Sequence, residues 1–373
     1  MDTVTRVVGF VVGVAIITTT AASMFTTLVI PRASSARLLR SVTSGLGALL
    51  RIVVHRLQGY ESKDRAIAIV GPLGLVIVFA IWLLAFVGGY GLVIWWVSGA
   101  SLLSALGLSG SSITTLGILV GRSGPTRALQ FVVGGTGLLV VALEIAYLPA
   151  LYNAFSSREA EVTLLATRAG VPAWGPEIIR RHYRFRTVAE LPDLYRTWER
   201  WAAEVSESHA SYPSLMWFRS PDPRRSWLTA MVAMLDAAAL HDSLCPHSAP
   251  PQARLYLQMG TSCLRSLASA LRMPFDPDPL PTAGIRLTKE EFLEGVGRLI
   301  DVDFPAERGV EDAWPHFAGW RVNYESIVDQ MTAVIVPPPS PWQMKRPELG
   351  EVVWPHVINR TPEHPGGAEL GKG

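Results

Sequence analysis

The chain has 373 residues, of which 49% are hydrophobic and only 17% charged, against roughly 25% charged in an ordinary soluble domain. Its 33 basic and 31 acidic residues leave a net charge of +2, which excludes the strong basic field expected of a nucleic-acid binder. Residues 66–121 contain no Asp, Glu, Lys, Arg or His; a soluble surface needs charge, so the sequence reads as a membrane protein.

Residues 7–30 are the first apolar run, long enough to cross a hydrocarbon layer of ~30 Å. Thr18, Thr19, Thr20, Thr26 and Thr27 weaken it, and Ala21, Ala22 and Ser23 keep a cleaved signal peptide open as the competing reading. The poorly basic start, Arg6 against Asp2, favours a retained span. Residues 31–65 then carry Arg32, Arg37, Arg40, Arg51, Arg56, Lys63 and Arg65, opposed only by Glu61 and Asp64. Leu38, Leu39, Val42, Leu46, Leu49 and Val53 recur at helical spacing, which predicts an amphipathic helix on the membrane surface, a soluble linker helix being the alternative. The basic excess marks this loop as cytoplasmic and puts the amino terminus outside.

Residues 66–97 form a second span ending in the interfacial aromatics Tyr90, Trp95 and Trp96. Residues 98–121 are less apolar and dense in Gly and Ser; they predict a short helix over 100–113, then Thr114-Thr115-Leu116-Gly117-Ile118-Leu119-Val120-Gly121. Arg122 and Arg127 bracket a Gly-Pro turn, and residues 128–152 make a third span. Glu144 is the one charged residue inside any span, sharing a helix face with Gly137, Val141 and Leu148. Pro149 predicts a kink at the exit of this span.

Charge returns after residue 156. Helices are predicted over 157–169, 174–185, 191–209, 226–244, 252–271, 289–300 and 306–335, and residues 337–373, with eight prolines, read as a flexible tail. Residues 227–240 are apolar but short and contain Asp236, so a buried helix fits better than a fourth span. Four regions result: 1–65 with the first span and the interfacial helix, 66–155 with the remaining spans, a helical 156–336, and the tail. Cys245 and Cys263 show no metal-ligand spacing. Gly295-Val296-Gly297 lacks the third glycine of a dinucleotide fingerprint, and no histidine pair has metal-ligand spacing. The basic run from Arg180 to Arg186 suits either anionic headgroups or a solvated helix face. Tyr195, Trp198 and Trp201, three residues apart, read as helical core. With only Lys63, Lys289, Lys345 and Lys372 among the basic residues, the composition suggests a GC-rich bacterial genome. No enzyme constellation is present in the sequence.

Span, polar dipping segment, span is an unusual order, because irregular backbone at membrane depth is tolerated only inside protein or along a watery cavity. Ser111-Ser112-Ile113-Thr114-Thr115-Leu116-Gly117, followed by Gly134-Gly135-Thr136-Gly137-Leu138-Leu139 and Ala142-Leu143-Glu144-Ile145-Ala146-Tyr147-Leu148, resembles the pore module of the potassium-channel superfamily over about residues 67–155. The resemblance implies an all-α membrane protein: three transmembrane helices, a re-entrant pore helix and filter, and a helical cytoplasmic domain. It implies a homotetramer in the plasma membrane that passively conducts a monovalent cation, K+ or Na+, with no cofactor, and whose soluble domain assembles or gates the pore for a partner or ligand the sequence does not identify. Thr114, Thr115, Leu116, Gly117 and Ile118 would line the filter, while Glu144, Gly135 and Gly137 would border the cavity or gate. The chain departs from the family at Ile118-Leu119-Val120, where the second filter glycine and the acidic residue of the mouth are missing. A non-conducting membrane-anchored scaffold or sensor with a degenerate pore fold is the alternative.

Overall fold

The computed structural model describes residues 2–29, 37–54, 57 and 59–343. Among them the structure is helical and without strands: α1 Asp2–Leu28, α2 Arg37–Val54, α3 Tyr60–Ala68, α4 Val70–Ser98, α5 Leu102–Ile113, α6 Gly124–Ala169, α7 Gly175–Arg184, α8 Leu191–Ser211, α9 Trp227–Leu244, α10 Pro251–Leu271, α11 Lys289–Ile300, α12 Val310–Arg321 and α13 Glu325–Ile335. Among the described residues three stretches are long and apolar enough to cross a membrane: Thr3–Leu28, Tyr60–Ser98 and Gly124–Ala169. The chain divides into two compact units, one taking residues of Met1–Arg56, Ala66–Ala154 and Ala210–Phe218, the other Leu57–Arg65, Phe155–His209 and Arg219–Gly373.

In the first unit α1 and α4 run antiparallel, and small residues set how closely. A Cβ on Gly13 would lie 2.6 Å from the Gly89 carbonyl oxygen, and one on Gly89 would lie 3.1 Å from that of Gly13, a close approach of the small-residue kind used between membrane helices. At one end Arg6 donates to the carbonyls of Trp95, Gly99 and Ala100, at 3.2, 3.0 and 3.4 Å. It thus satisfies oxygens that a helix C-terminus leaves bare. At the other end Trp82 Nε1 donates to Ser23 Oγ at 3.2 Å. Four of the threonines that weaken the first run as a span, Thr18, Thr19, Thr26 and Thr27, return their hydroxyls to carbonyls one turn earlier, Thr19 and Thr26 at 2.7 and 2.8 Å. They therefore add no unsatisfied polar group to the helix.

α2 covers the predicted amphipathic stretch. Its inner face is Leu39, Thr43 and Gly47, against Gly74 of α4 and the Trp217 ring, and Leu49 is exposed. The side chains of Arg37, Arg40, Arg51, Arg56 and Val53 lie outside the described residues. Residues Ala210–Phe218 belong to this unit rather than to the helical region the sequence assigns them to: Phe218 lies against Gly71 and edge-on to Tyr152.

Some helix limits differ from the sequence reading. The expected helices over 128–152 and 157–169 are one, since α6 continues through Pro149 to Ala169; no Gly follows Gly137 until Gly170. The expected helix over 306–335 is two, broken at Val322-Asn323-Tyr324.

In the second unit α9 is buried along its whole length. Asp236 accepts from Arg321 Nη1 and from the Tyr324 hydroxyl, each at 2.7 Å, while Arg321 Nε donates to Glu325 at 2.7 Å and Nη2 to the Trp342 carbonyl at 2.6 Å. Burial raises the Asp236 carboxyl, and the Arg321 guanidinium beside it opposes that shift. Gly260 of α10 and Gly175 of α7 sit tightly on α9. Tyr195, Trp198 and Trp201 are core residues as expected. The basic run is not a wholly solvated face, because Arg181 and His182 are buried, Arg181 bonding Glu177 and the Thr167 carbonyl. Gly295 is a packing glycine: a Cβ there would lie 2.3 Å from the Trp342 ring. Trp342 is buried beside Phe292, Phe317 and Trp174, so the ordered unit reaches into the stretch read as a tail. Residues 344–373 of that stretch lie outside the described residues. Both cysteines are free and buried.

Candidate functional site

The segment after α4 is built by local chemistry first. Gly99 ends α4 in the left-handed conformation, φ +65°, and Ser101 starts α5 by accepting from the Ser104 amide at 3.2 Å, a standard N-cap. The expected start at residue 100 thus moves to Leu102. α5 then runs back along α4, since Gly91 faces Leu106 and Gly110 faces Val87. Twelve residues rise ~18 Å, so α5 flanks only the C-terminal half of the longer α4.

At its end the backbone makes two left-handed steps, at Thr115, φ +59°, and Gly117, φ +65°. Glycine takes this conformation freely; a β-branched threonine does so at a cost of about 1–3 kcal/mol, of the kind that clusters at functional sites. The turn is tied down on its inner side. The amides of Thr114, Thr115 and Gly117 donate to Gly110, Ser112 and Ser111 carbonyls, at 3.1, 3.0 and 3.1 Å, and the Thr114 hydroxyl returns to the Gly110 carbonyl at 2.7 Å. Ser111 Oγ accepts from the Leu119 amide at 3.0 Å.

Two side chains from α6 hold the outer part. Gln130 accepts from the Gly121 amide at 2.7 Å and donates to Ser112 Oγ at 3.0 Å and to the Leu119 carbonyl at 2.9 Å. Arg127 Nε donates to the Gly121 carbonyl at 2.9 Å. Neither was singled out from sequence as part of the site, although a lone amide three residues into an apolar span is the signal that points to Gln130.

Between these anchors, the carbonyls of Thr114, Thr115, Leu116, Gly117 and Ile118 accept no hydrogen bond among the described residues, and all five residues are exposed in the single chain. The structure thus brings the five predicted filter residues into one turn. Two of them, Thr115 and Gly117, border a concavity of about 440 Å³ that Ser112, Gln130, Gly135 and Leu138 also line.

The predicted cavity residues separate. Gly137 is buried under α5, where a Cβ would come 2.0 Å from the Ile113 carbonyl oxygen, so its small size serves helix packing. Gly135 has no atom within 4 Å of a notional Cβ and faces the concavity. Glu144 is half-buried three turns below Gly134 and forms no ion pair among the described residues. Arg122 is exposed. No cluster of three or more His, Cys, Asp or Glu able to hold a metal occurs among the described residues. Comparison with known proteins returns no match, whether to family models, curated proteins or solved structures.

Proposed function

We propose that four copies of this chain form a passive channel for monovalent cations, K+ or Na+, of the potassium-channel-like superfamily. The carrying observation is the run of five unbonded carbonyls from Thr114 to Ile118, set in an otherwise apolar, charge-free stretch. Bare carbonyls cannot face lipid, so they must meet protein or water. A ring of such oxygens on a four-fold axis replaces the hydration shell of a cation. The C-terminal end of α5 points its negative dipole end at the same turn, which favours a cation there.

In this reading α5 is the re-entrant pore helix and α4 and α6 are the outer and inner helices. Gly135 and Gly137 belong to the inner helix beside the cavity, and Glu144 rings the conduit and concentrates cations. The Leu119 and Gly121 carbonyls are already taken by Gln130 and Arg127, so the filter is shorter than the family's and its selectivity correspondingly lower. The protein sits in a bacterial plasma membrane, amino terminus outside, with the second unit in the cytoplasm as assembly or gating domain. Exposed side chains such as Phe131, Val132 and Ile145 meet lipid or neighbouring copies.

One observation favours a second reading. Leu116, Ile118 and Val120 are 66%, 73% and 68% exposed, and four sets of such side chains meeting on an axis would seal it, leaving a membrane-anchored scaffold. Flux of K+ and Na+ through purified protein in liposomes decides between them. A conducting protein whose flux is abolished or sharply altered by Gly117→Ala supports the channel; absence of cation flux under every condition supports the scaffold.

A further inference from the structure

The second unit contains a helix start that the described residues leave unsatisfied. α9 begins at Ser226 with no side-chain cap, and among the described residues the amides of Trp227, Leu228 and Thr229 donate to no acceptor. Exposed amides would be served by water, but Trp227, Leu228 and Thr229 are 2%, 0% and 1% exposed, and a buried helix start ordinarily has partners. Thr229 adds an independent sign. Its hydroxyl is buried without a hydrogen-bond partner among the described residues, and it lines a recess walled by Arg224, Arg225 and Ser226 on one side and by Val162, Ala166 and Gly170 on the other.

The two arginines make the recess cationic. Arg225 Nη1 donates to Thr163 Oγ1 at 3.2 Å. Its Nε lies 3.4 Å from Asp222, and Arg224 Nε lies 3.5 Å from the same carboxylate. Asp222 offsets only part of this charge. Each guanidinium carries five N–H donors, and the side chains keep 53% and 30% of their exposure for Arg224 and Arg225.

We propose that the N-terminus of α9 is a binding site for a phosphate monoester group. The recess-lining side-chain groups without a hydrogen bond among the described residues are the Thr229 hydroxyl and Arg225 Nε, and the positive end of the α9 dipole lies there, the arrangement that selects an anion. The recess is small, about 10 Å³, room for about one oxygen-sized group. One phosphate oxygen therefore seats against the α9 amides and the Thr229 hydroxyl, and the remaining oxygens stay at the mouth with the guanidinium groups. A dianion with three terminal oxygens satisfies both partners in a way that a carboxylate does not. This proposal does not rest on the proposed conduction path.

The test is calorimetric titration of the full chain in phosphatidylcholine nanodiscs with inorganic phosphate and with glycerol 3-phosphate, against chloride at matched ionic strength. A parallel preparation in nanodiscs containing phosphatidic acid distinguishes a lipid headgroup from a free phosphate by measuring its effect on thermal unfolding. Wild-type protein is expected to respond to at least one of these phosphate sources and not to chloride. Thr229→Val, which removes an unpaired hydroxyl and leaves folding neutral or improved, should weaken that response about tenfold, and Arg225→Gln should abolish it. Should Arg225→Gln fold poorly, Arg224→Gln, on an exposed side chain, should still weaken binding about threefold. No response to any phosphate source, or an undiminished response in Thr229→Val together with Arg224→Gln, overturns the proposal and leaves the recess to a single water.

Discussion

Gly137→Ala tests the contact on which the turn after α5 rests. The added methyl would lie 2.0 Å from the Ile113 carbonyl oxygen and 2.8 Å from its carbon. Both are backbone atoms, so no rotamer change relieves the clash. Restoring a contact of 3.4 Å requires the last turn of α5 and the adjoining part of α6 to separate by about 1.4 Å, more than a packed interior absorbs without loss. Overpacking typically costs about 1–3 kcal/mol, and this case, backbone against backbone, belongs at the upper end. The internal control is Gly135→Ala, two residues away, where a Cβ meets nothing within 4 Å and helix propensity improves by about 1 kcal/mol. Thermal unfolding of the purified variants in one detergent is the assay, with cation flux in liposomes as the second readout. Gly137→Ala should unfold several degrees lower and lose flux, and Gly135→Ala should unfold no lower than the parent. Equal midpoints for the parent and Gly137→Ala would show that α6 does not pack on α5 through this glycine.

Gln130→Leu keeps the size of the side chain and removes its three hydrogen bonds to Ser112, Leu119 and Gly121. It should lower stability by about 1–3 kcal/mol and change the K+/Na+ flux ratio, whereas an unchanged ratio would free the filter from this brace. Glu144→Gln should lower single-channel cation conductance if the carboxylate faces the conduit; equal conductance in symmetrical salt assigns it to packing. The pH dependence of stability has a definite sign. Burial pushes His182, His209 and His241 down, His241 to about 4 and His209 helped by the nearby Arg158. Unfolded histidines titrate near ~6.5, so between that pH and about 4 the unfolded chain takes up protons that the folded unit refuses. Stability must therefore fall as pH drops through this window, by about 3 kcal/mol for His241 alone. A denaturant midpoint that stays level from pH 7 to pH 5 would contradict this.

Apolar run length made the three long helices legible in the sequence, because lipid-compatible helices are specified by composition alone. The short helix after α4 and the turn from Thr114 to Gly121 were legible because Ser, Thr and Gly break the apolar pattern. Three features were not. The continuation of α6 to Ala169 was hidden by the change from apolar to charged residues at 156, which alters what the helix faces but not its backbone. The break between α12 and α13 carries no Gly or Pro; it places Tyr324 and Arg321 on Asp236, eighty-five or more residues away, a contact without local trace. The role of Gly137 as packing space likewise depends on a partner backbone at Ile113. Thr114 to Ile118 lie together in one turn because they are contiguous, whereas the bonds of Gln130 join residues from nine to eighteen positions apart and leave no local trace.

A symmetry-resolved map of the purified particle in a lipid disc tests the conduction proposal most directly. The account predicts four copies around one axis, with the carbonyls of Thr114 to Ile118 facing it and density for a cation between them. Segments splayed away from one another, or an axis closed by Leu116 and Ile118 side chains without a water-filled route, would contradict it.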